Sequence, residues 1–197
     1  MGMHFRLATP DDAAQVLGVY GPYCFTPTSF EAAPPSVEEM RQRITRVLEH
    51  HPWLVCEQDA EIVGYVYACP HRERAAYRWS VDTAVYLHPQ CQRRGLGRAM
   101  YTSLFQMLIL QGYVNAYAGV TLPNPASAGL HQAMGFEQVG VYRKVGYKYG
   151  AWHDVGWFEL LLQTRPDQPE APKEWREIER TEEWLRALNA GLVLLRR

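Results

Sequence analysis

The stretch from Arg78 to Leu122 constrains this chain most. "RWSVDTAVYLHP" (78–89) is rich in β-branched and aromatic residues and reads as a strand. "QRRGLG" (92–97) follows, then an apolar helical pattern from about Leu96 to Gln111 that Gly112 stops, then a second strand, "VNAYAGVTL" (114–122). Two arginines ahead of a helix are the wrong sign, because the helix macrodipole already places about half a positive charge at its N-terminus. A bound anion resolves the conflict. Glycines let backbone N–H groups turn toward such an anion, and the dipole adds attraction.

The remaining elements build outward from this unit. "MHFRLA" (3–8) reads as a strand, and Thr9, Pro10, Asp11 and Asp12 open a helix to about Tyr20. Ser36 with Glu39 is a capping box for a helix to about His50. "WLVCEQ" and "IVGYVYACP" are two strands joined by a tight turn at residues 59–61. Asn124 caps and Pro125 begins a helix that Gly135 ends, and "FEQVGVYRKVGYK" and "WHDVGWFELLL" are closing strands. Mixed order of this kind predicts an α/β fold with parallel and antiparallel parts. The expected sheet has about six to seven strands flanked by about four helices. Residues 1–163 form the expected domain, 164–173 a proline-rich linker, and 174–197 an amphipathic helix carrying Trp175, Ile178, Leu185, Leu188 and Leu192.

With 47% apolar and 21% charged residues among 197, the chain can bury a core of ordinary domain size. A formal net charge of −1 gives no basic field for nucleic acid. No apolar run approaches membrane-spanning length, so no membrane partner is expected. The four cysteines form no C-x-x-C pair and fit reduced thiols in a cytoplasm. No metal site is expected.

Three phosphate-binding signatures bear on the anion. The Walker pattern has no match. The dinucleotide pattern G-x-G-x-x-G starts at Gly95 and Gly97 but meets Met100 at its third glycine. The pattern [QR]-x-x-G-x-[GA] is met in full by Gln92, Arg93, Arg94, Gly95, Leu96 and Gly97.

With that loop in place, the sequence resembles the GNAT N-acetyltransferases, and within them the phosphinothricin and methionine sulfone or sulfoximine acetyltransferases. The resemblance covers about residues 4 to 162. It rests on "HPWLV" (51–55), "YVYACP" (65–70), "VDTAVYLHPQCQRRGLG" (81–97), "YTSL" (101–104), "TLPNPASAGLHQAMGF" (121–136) and "GYKYGAWHDVG" (146–156). It implies a GNAT fold, acetyl-CoA as cosubstrate with its pyrophosphate on the loop, a small-molecule amine as acceptor, and a homodimer. It also implies that Val85, Tyr86 and Leu87 hold the pantetheine arm and that Asn124 touches the cofactor.

Acetyl transfer needs a deprotonated amine, whose free pKa is about 10 or somewhat lower. Asp82 is the expected proton acceptor, directly or through water. The resembling subgroup carries glutamate there, so the shorter aspartate reaches less far. His131 lies seven residues after Asn124, the subgroup's spacing for its active-site histidine. Tyr101 is a candidate to protonate the leaving thiolate. Phe30, Tyr77, Arg78 and residues 152–154 match segments around the acceptor pocket, and Arg72, Arg74 or Arg78 could pair with an acceptor carboxylate. His153 and Asp154 are adjacent on a strand, face opposite ways, and form no dyad. Two other readings share the fold: an enzyme for another amine, such as a polyamine or a protein N-terminus, and a non-catalytic acyl-CoA sensor.

Overall fold

The computed structural model describes residues 2–195. Seven strands form one sheet: β1 (His4–Leu7), β2 (Trp53–Gln58), β3 (Glu61–Pro70), β4 (Ser80–Leu87), β5 (Asn115–Leu122), β6 (Glu137–Lys148) and β7 (Ala151–Leu161). Their spatial order is β1-β2-β3-β4-β5-β7-β6. Only β4 and β5 run parallel among neighbours, and the helix between them is the crossover that parallel pairing demands.

Helices α1 (Ala13–Cys24) and α2 (Val37–Leu48) cover one face, and α3 (Leu96–Gln111) and α4 (Pro125–Ala133) cover the other. Alternation along β4 fixes this division. Tyr86 meets Tyr20 and Tyr23 of α1, whereas Thr83, of opposite parity, lies against Tyr101 of α3. Met100, Leu104, Met107 and Leu108 bury the inner side of α3. Local signals set the ends. Ser36 accepts the Glu39 amide at 3.2 Å while Glu39 accepts the Ser36 amide at 2.6 Å. Gly112, at φ +97°, ends α3. Helix α1 departs from expectation: it begins after a 3₁₀ turn at Pro10–Asp12 and runs past Tyr20 to Cys24, with Pro22 inside it.

The tail also departs. Instead of one helix over 174–197, it forms α5 (Trp175–Ile178), α6 (Glu182–Asn189) and a 3₁₀ turn (Leu192–Leu195). Arg196 and Arg197 lie outside the described residues. Thr181 interrupts the expected helix by capping a new one, accepting the Trp184 amide at 3.2 Å. Trp184 is buried, and the Gly191 amide donates to Ser103 Oγ at 3.0 Å, so the tail packs behind α3. The 164–173 segment is tied down as well: the Trp79 indole donates to the Glu170 carbonyl at 2.6 Å, and the Lys173 amide to the Gln111 carbonyl at 2.7 Å. Among the described residues, no helix is long and apolar enough to cross a membrane.

A Cβ built on Gly191 would overlap the Ala99 carbonyl group, which is backbone and has nowhere to go. Gly191→Ala is therefore expected to lift this turn from α3 and to destabilise the protein by about 2–4 kcal/mol. Thermal melting with limited proteolysis of the 164–173 segment checks it. Unchanged melting and unchanged cleavage would refute the tight packing described here.

Candidate active site

The site begins where β4 and β5 part. They pair only from Ser80/Asn115 to Asp82/Tyr117, yet run on to Leu87 and Leu122. The Thr83 hydroxyl, donating to the Tyr117 carbonyl at 3.2 Å, closes the apex of the wedge. Beyond it the inner edge of β4 has no strand partner among the described residues. Its outer edge is occupied: β3 pairs with β4 throughout, and the His88 amide continues that side by donating to the Val63 carbonyl. Alternation then aims the amide and carbonyl of Val85 and Leu87 into the wedge and those of Tyr86 toward β3. Tyr23 engages the Leu87 pair: its hydroxyl donates to the Leu87 carbonyl at 2.7 Å and receives the Gln92 side chain at 3.0 Å. Val85 is left as the residue that presents main-chain groups to the cleft. Tyr86 contributes its side chain instead.

The cleft continues, with about 680 Å³ of space, to the N-terminus of α3. Gly95 caps α3 at φ +79°, a left-handed conformation that suits glycine, and Arg93 before it is also left-handed at φ +57°. The first helical bond runs from the Ala99 amide to the Gly95 carbonyl, so the preceding amides, including Leu96, Gly97 and Arg98, lie outside the helical ladder. Gly97 sits under Leu130 of α4; a Cβ there would come within 3.0 Å of Leu130 Cδ2. Arg93, Arg98 and Asn124 line the cleft, while Arg94 is exposed beside it. Asn124 also caps α4, its Oδ1 accepting the Ser127 amide at 3.1 Å.

At the foot of the wedge a space of about 70 Å³ brings together Thr83, Val85, Tyr101, Asn124, Ser127 and His131. His131 is 4% exposed, and its Nδ1 is 2.8 Å from the Ser127 carbonyl oxygen. A carbonyl can only accept, so Nδ1 carries the hydrogen and Nε2 is the acceptor in the neutral ring. The Tyr101 hydroxyl, 3.1 Å away, therefore donates to Nε2. Burial holds His131 below the usual imidazole pKa, against the pull of the Ser127 carbonyl. Burial also raises the Tyr101 phenol, against the opposing influence of the neighbouring Thr83 hydroxyl. Both groups are thus neutral at pH 7.

Asp82 lies on the other face, at the apex, where β4 last pairs with β5. Burial pushes its carboxyl up from the usual carboxylate value, outweighing the His71 hydrogen bond and the nearby Arg72 charge. His71 Nδ1 is 2.6 Å from Asp82 Oδ1. In the sequence "HRERAAYR" reads as a solvated charged turn; the structure folds its first residue inward.

Above Asp82 on this face is a second pocket of about 510 Å³. Tyr20, Ser29, Phe30, Glu31, Tyr86 and Gly119 are among its walls. Phe30 lies over Gly146 and 6.3 Å from the His153 ring. Tyr77 is partly exposed and meets the edge of His71 at 6.0 Å. Arg78 is turned away: it stacks 5.5 Å from the Trp79 ring and donates to the Ala75 carbonyl, outside both pockets. His153 Nε2 bonds the Lys148 carbonyl and Asp154 accepts the Lys144 amide, so these two hold the β6–β7 hairpin.

Lys148 was not anticipated. Its ammonium sits in a cage of four carbonyl oxygens, Cys24, Thr26, Ser29 and Glu31, at 2.6 to 3.0 Å, which share its three hydrogens. That cage shapes the segment bearing Phe30 and Glu31. No local signal reveals it, because Lys148 lies more than a hundred residues from its partners in the chain. Tyr23 and Ser127 were likewise missed; Ser127, three residues after the Asn124 cap, is the one whose position the helix cap signals.

The Acetyltransferase (GNAT) domain profile matches residues 5–157. The phosphinothricin N-acetyltransferase of Streptomyces viridochromogenes is 38% identical over 172 residues, spanning 85% of this chain and 94% of that protein. The L-methionine sulfoximine/L-methionine sulfone acetyltransferase of Salmonella typhimurium is 33% identical over 117 residues, spanning 59% of this chain and 68% of its own. Among solved structures, a phosphinothricin acetyltransferase from Sinorhizobium meliloti in complex with acetyl-CoA superimposes with a TM-score of 0.80 at 27% identity, covering 89% of this chain and all of that one.

Proposed function

The chain belongs to the GNAT acetyltransferase family and is an acetyl-CoA-dependent N-acetyltransferase, and from that premise we propose that its acceptor is the α-amine of a small amino acid or analogue, of the phosphinothricin or methionine sulfone/sulfoximine type. One observation carries the reading. The wedge between β4 and β5 connects a helix end suited to phosphate on one side to a separate pocket with room for an amino acid on the other, with titratable groups at the junction.

The residues present fit the cosubstrate. The α3 amides, with Arg93, Arg94 and Arg98 around them, suit a diphosphate. The Val85 main chain suits an amide-bearing arm, and Gln92 braces this edge through Tyr23. Asn124 stands where cleft and junction meet. Acetyl-CoA supplies the acyl group as a thioester. The protein's own work is to hold it, to exclude water, and to move protons. Asp82 drives removal of the ammonium proton. Tyr101, hydrogen-bonded to a neutral His131, is the proton donor on the opposite face, where a leaving thiolate would emerge. Phe30 and Glu31 select the acceptor.

We also propose a homodimer and a cytoplasmic location. Strand β6 is an edge of the sheet, and Val139, Tyr142, Val145 and Tyr147 on it, with Trp152 on β7, are exposed. An apolar edge of this length invites a partner. The four cysteines are free thiols.

The test is an acetyl-CoA-dependent thiol-release screen over amino acids, their sulfone, sulfoximine and phosphinate analogues, and polyamines. Saturable turnover is expected with an amino-acid analogue. Turnover confined to polyamines, or CoA binding with no turnover on any amine, would reject this acceptor class.

A further inference from the structure

His71 follows β3 directly and folds back over the sheet. Its amide donates to the Ser80 carbonyl at 3.2 Å, which places the ring beside β4. The ring stacks on Tyr117 with centroids 4.3 Å apart and planes 23° apart. Tyr77 and Trp157 meet it edge-on at 6.0 and 6.2 Å. It is therefore held on three sides. Its Nδ1 is taken by Asp82 Oδ1 at 2.6 Å. An ionised carboxylate can only accept, so Nδ1 carries the hydrogen and Nε2 keeps a lone pair. Among the described residues Nε2 makes no hydrogen bond.

The position of the ring matters as much as its orientation. Tyr117 and Gly119 project from the same face of β5, and Gly119 lines the acceptor pocket. Two residues of strand separate them by about 7 Å. A group on Tyr117 can thus reach an amine at Gly119 through bridging water. Asp82 itself is less well placed, since one carboxylate oxygen is already committed to the imidazole.

We propose that His71 is the general base for the acceptor amine, with Asp82 as its positioning partner. This rests on the acetyl-transfer reading and refines its proton-transfer step. The ammonium proton passes to His71 Nε2 over bridging water, and the resulting imidazolium is stabilised by the Asp82 carboxylate. The imidazolium then returns the proton to solvent, so the base is regenerated and no redox partner is needed. The titratable and charged groups around it are Asp82 on β4, Cys69 on β3, Arg72 and Tyr77 in the connecting loop, Tyr117 on β5, and, behind Tyr117, Glu159 on β7 with Arg165.

His71→Gln and His71→Ala test it, with the amine that the wild type acetylates. His71→Gln is expected to lower kcat/KM for that amine by about 10²–10⁴-fold and to abolish the acid limb of its pH profile, with the KM for acetyl-CoA little changed. Added imidazole is expected to restore part of the His71→Ala rate. A second measurement needs no variant: ¹⁵N NMR of the wild-type histidines should show His71 protonated on Nδ1 and titrating on Nε2. A His71→Gln enzyme with wild-type rate and pH profile, or a His71 ring protonated on Nε2 at neutral pH, overturns the proposal. A wild type that acetylates no amine sinks the acetyl-transfer reading itself, which is a different result.

Discussion

Replacing Asp82 by asparagine is expected to lower kcat/KM for the acceptor amine by about 10²–10⁴-fold, or about 3–5 kcal/mol of transition-state stabilisation. The substitution is nearly isosteric. It keeps an oxygen able to accept the His71 Nδ1–H at the present 2.6 Å and removes the negative charge. What is lost is the partner that favours a protonated imidazole, and with it the driving force for taking the amine's proton. The fold should tolerate the change, since Asp82 is half-buried and burial already raises its pKa, so loss of the charge relieves a desolvation penalty. The KM for acetyl-CoA should stay within about twofold, because the phosphate loop and Val85 lie farther along the wedge. Asp82→Glu adds a methylene to a contact with no slack, and the imidazole must move to admit it. Steady-state kinetics on both variants, beside acetyl-CoA binding, decide the matter. An Asp82→Asn enzyme with normal turnover would show that the apex carboxylate is structural only.

The sheet and the glycine loop ahead of α3 were legible because their signals are local. Ser36 and Glu39, Asn124 and Pro125, Gly95 and Gly112 each settle a helix end within four residues of themselves. The β4–loop–α3–β5 unit follows from one continuous stretch, and Tyr101 and His131 are each legible as candidates, whereas the hydrogen bond that joins them across two helices is not. The remainder depends on contacts between distant parts of the chain. His71 sits in a run of charged residues that reads as solvent-facing, and only the return of β4 beside β3 brings it to Asp82. Arg78 has the right chemistry for a carboxylate, yet a neighbouring indole and the Ala75 carbonyl claim it first. The tail's apolar spacing holds for two short helices as well as for one long helix. Thr181 with Glu182 and Glu183 after it was the signal that separates the two cases.

Lys148→Met is expected to be the most damaging single change for stability, at about 3–5 kcal/mol. Methionine matches the length of the lysine stem but donates nothing. Four carbonyls that now converge on one ammonium would face each other across a gap, with their dipoles aligned in repulsion. The Cys24 carbonyl keeps the Tyr149 hydroxyl at 3.3 Å, and each of the others left without a donor costs about 1–3 kcal/mol, less whatever relaxation or an entering water recovers. For a chain of this size the total corresponds to a fall in Tm on the order of 10 °C. The functional consequence is as specific as the geometry. The cage holds Ser29 and Glu31, and Phe30 between them rests on Gly146, so loosening it disorders the acceptor pocket while α3 and its phosphate loop are untouched. The KM for the amine should therefore rise well above that for acetyl-CoA. Lys148→Ala leaves a carbonyl-lined hole that a small alkylammonium ion can fill, and added ethylammonium should recover part of both the Tm and the amine KM. If both substrates' KM values rose together, or if neutral ethanol restored the variant as well as ethylammonium did, the cage would be filling space rather than holding a cation.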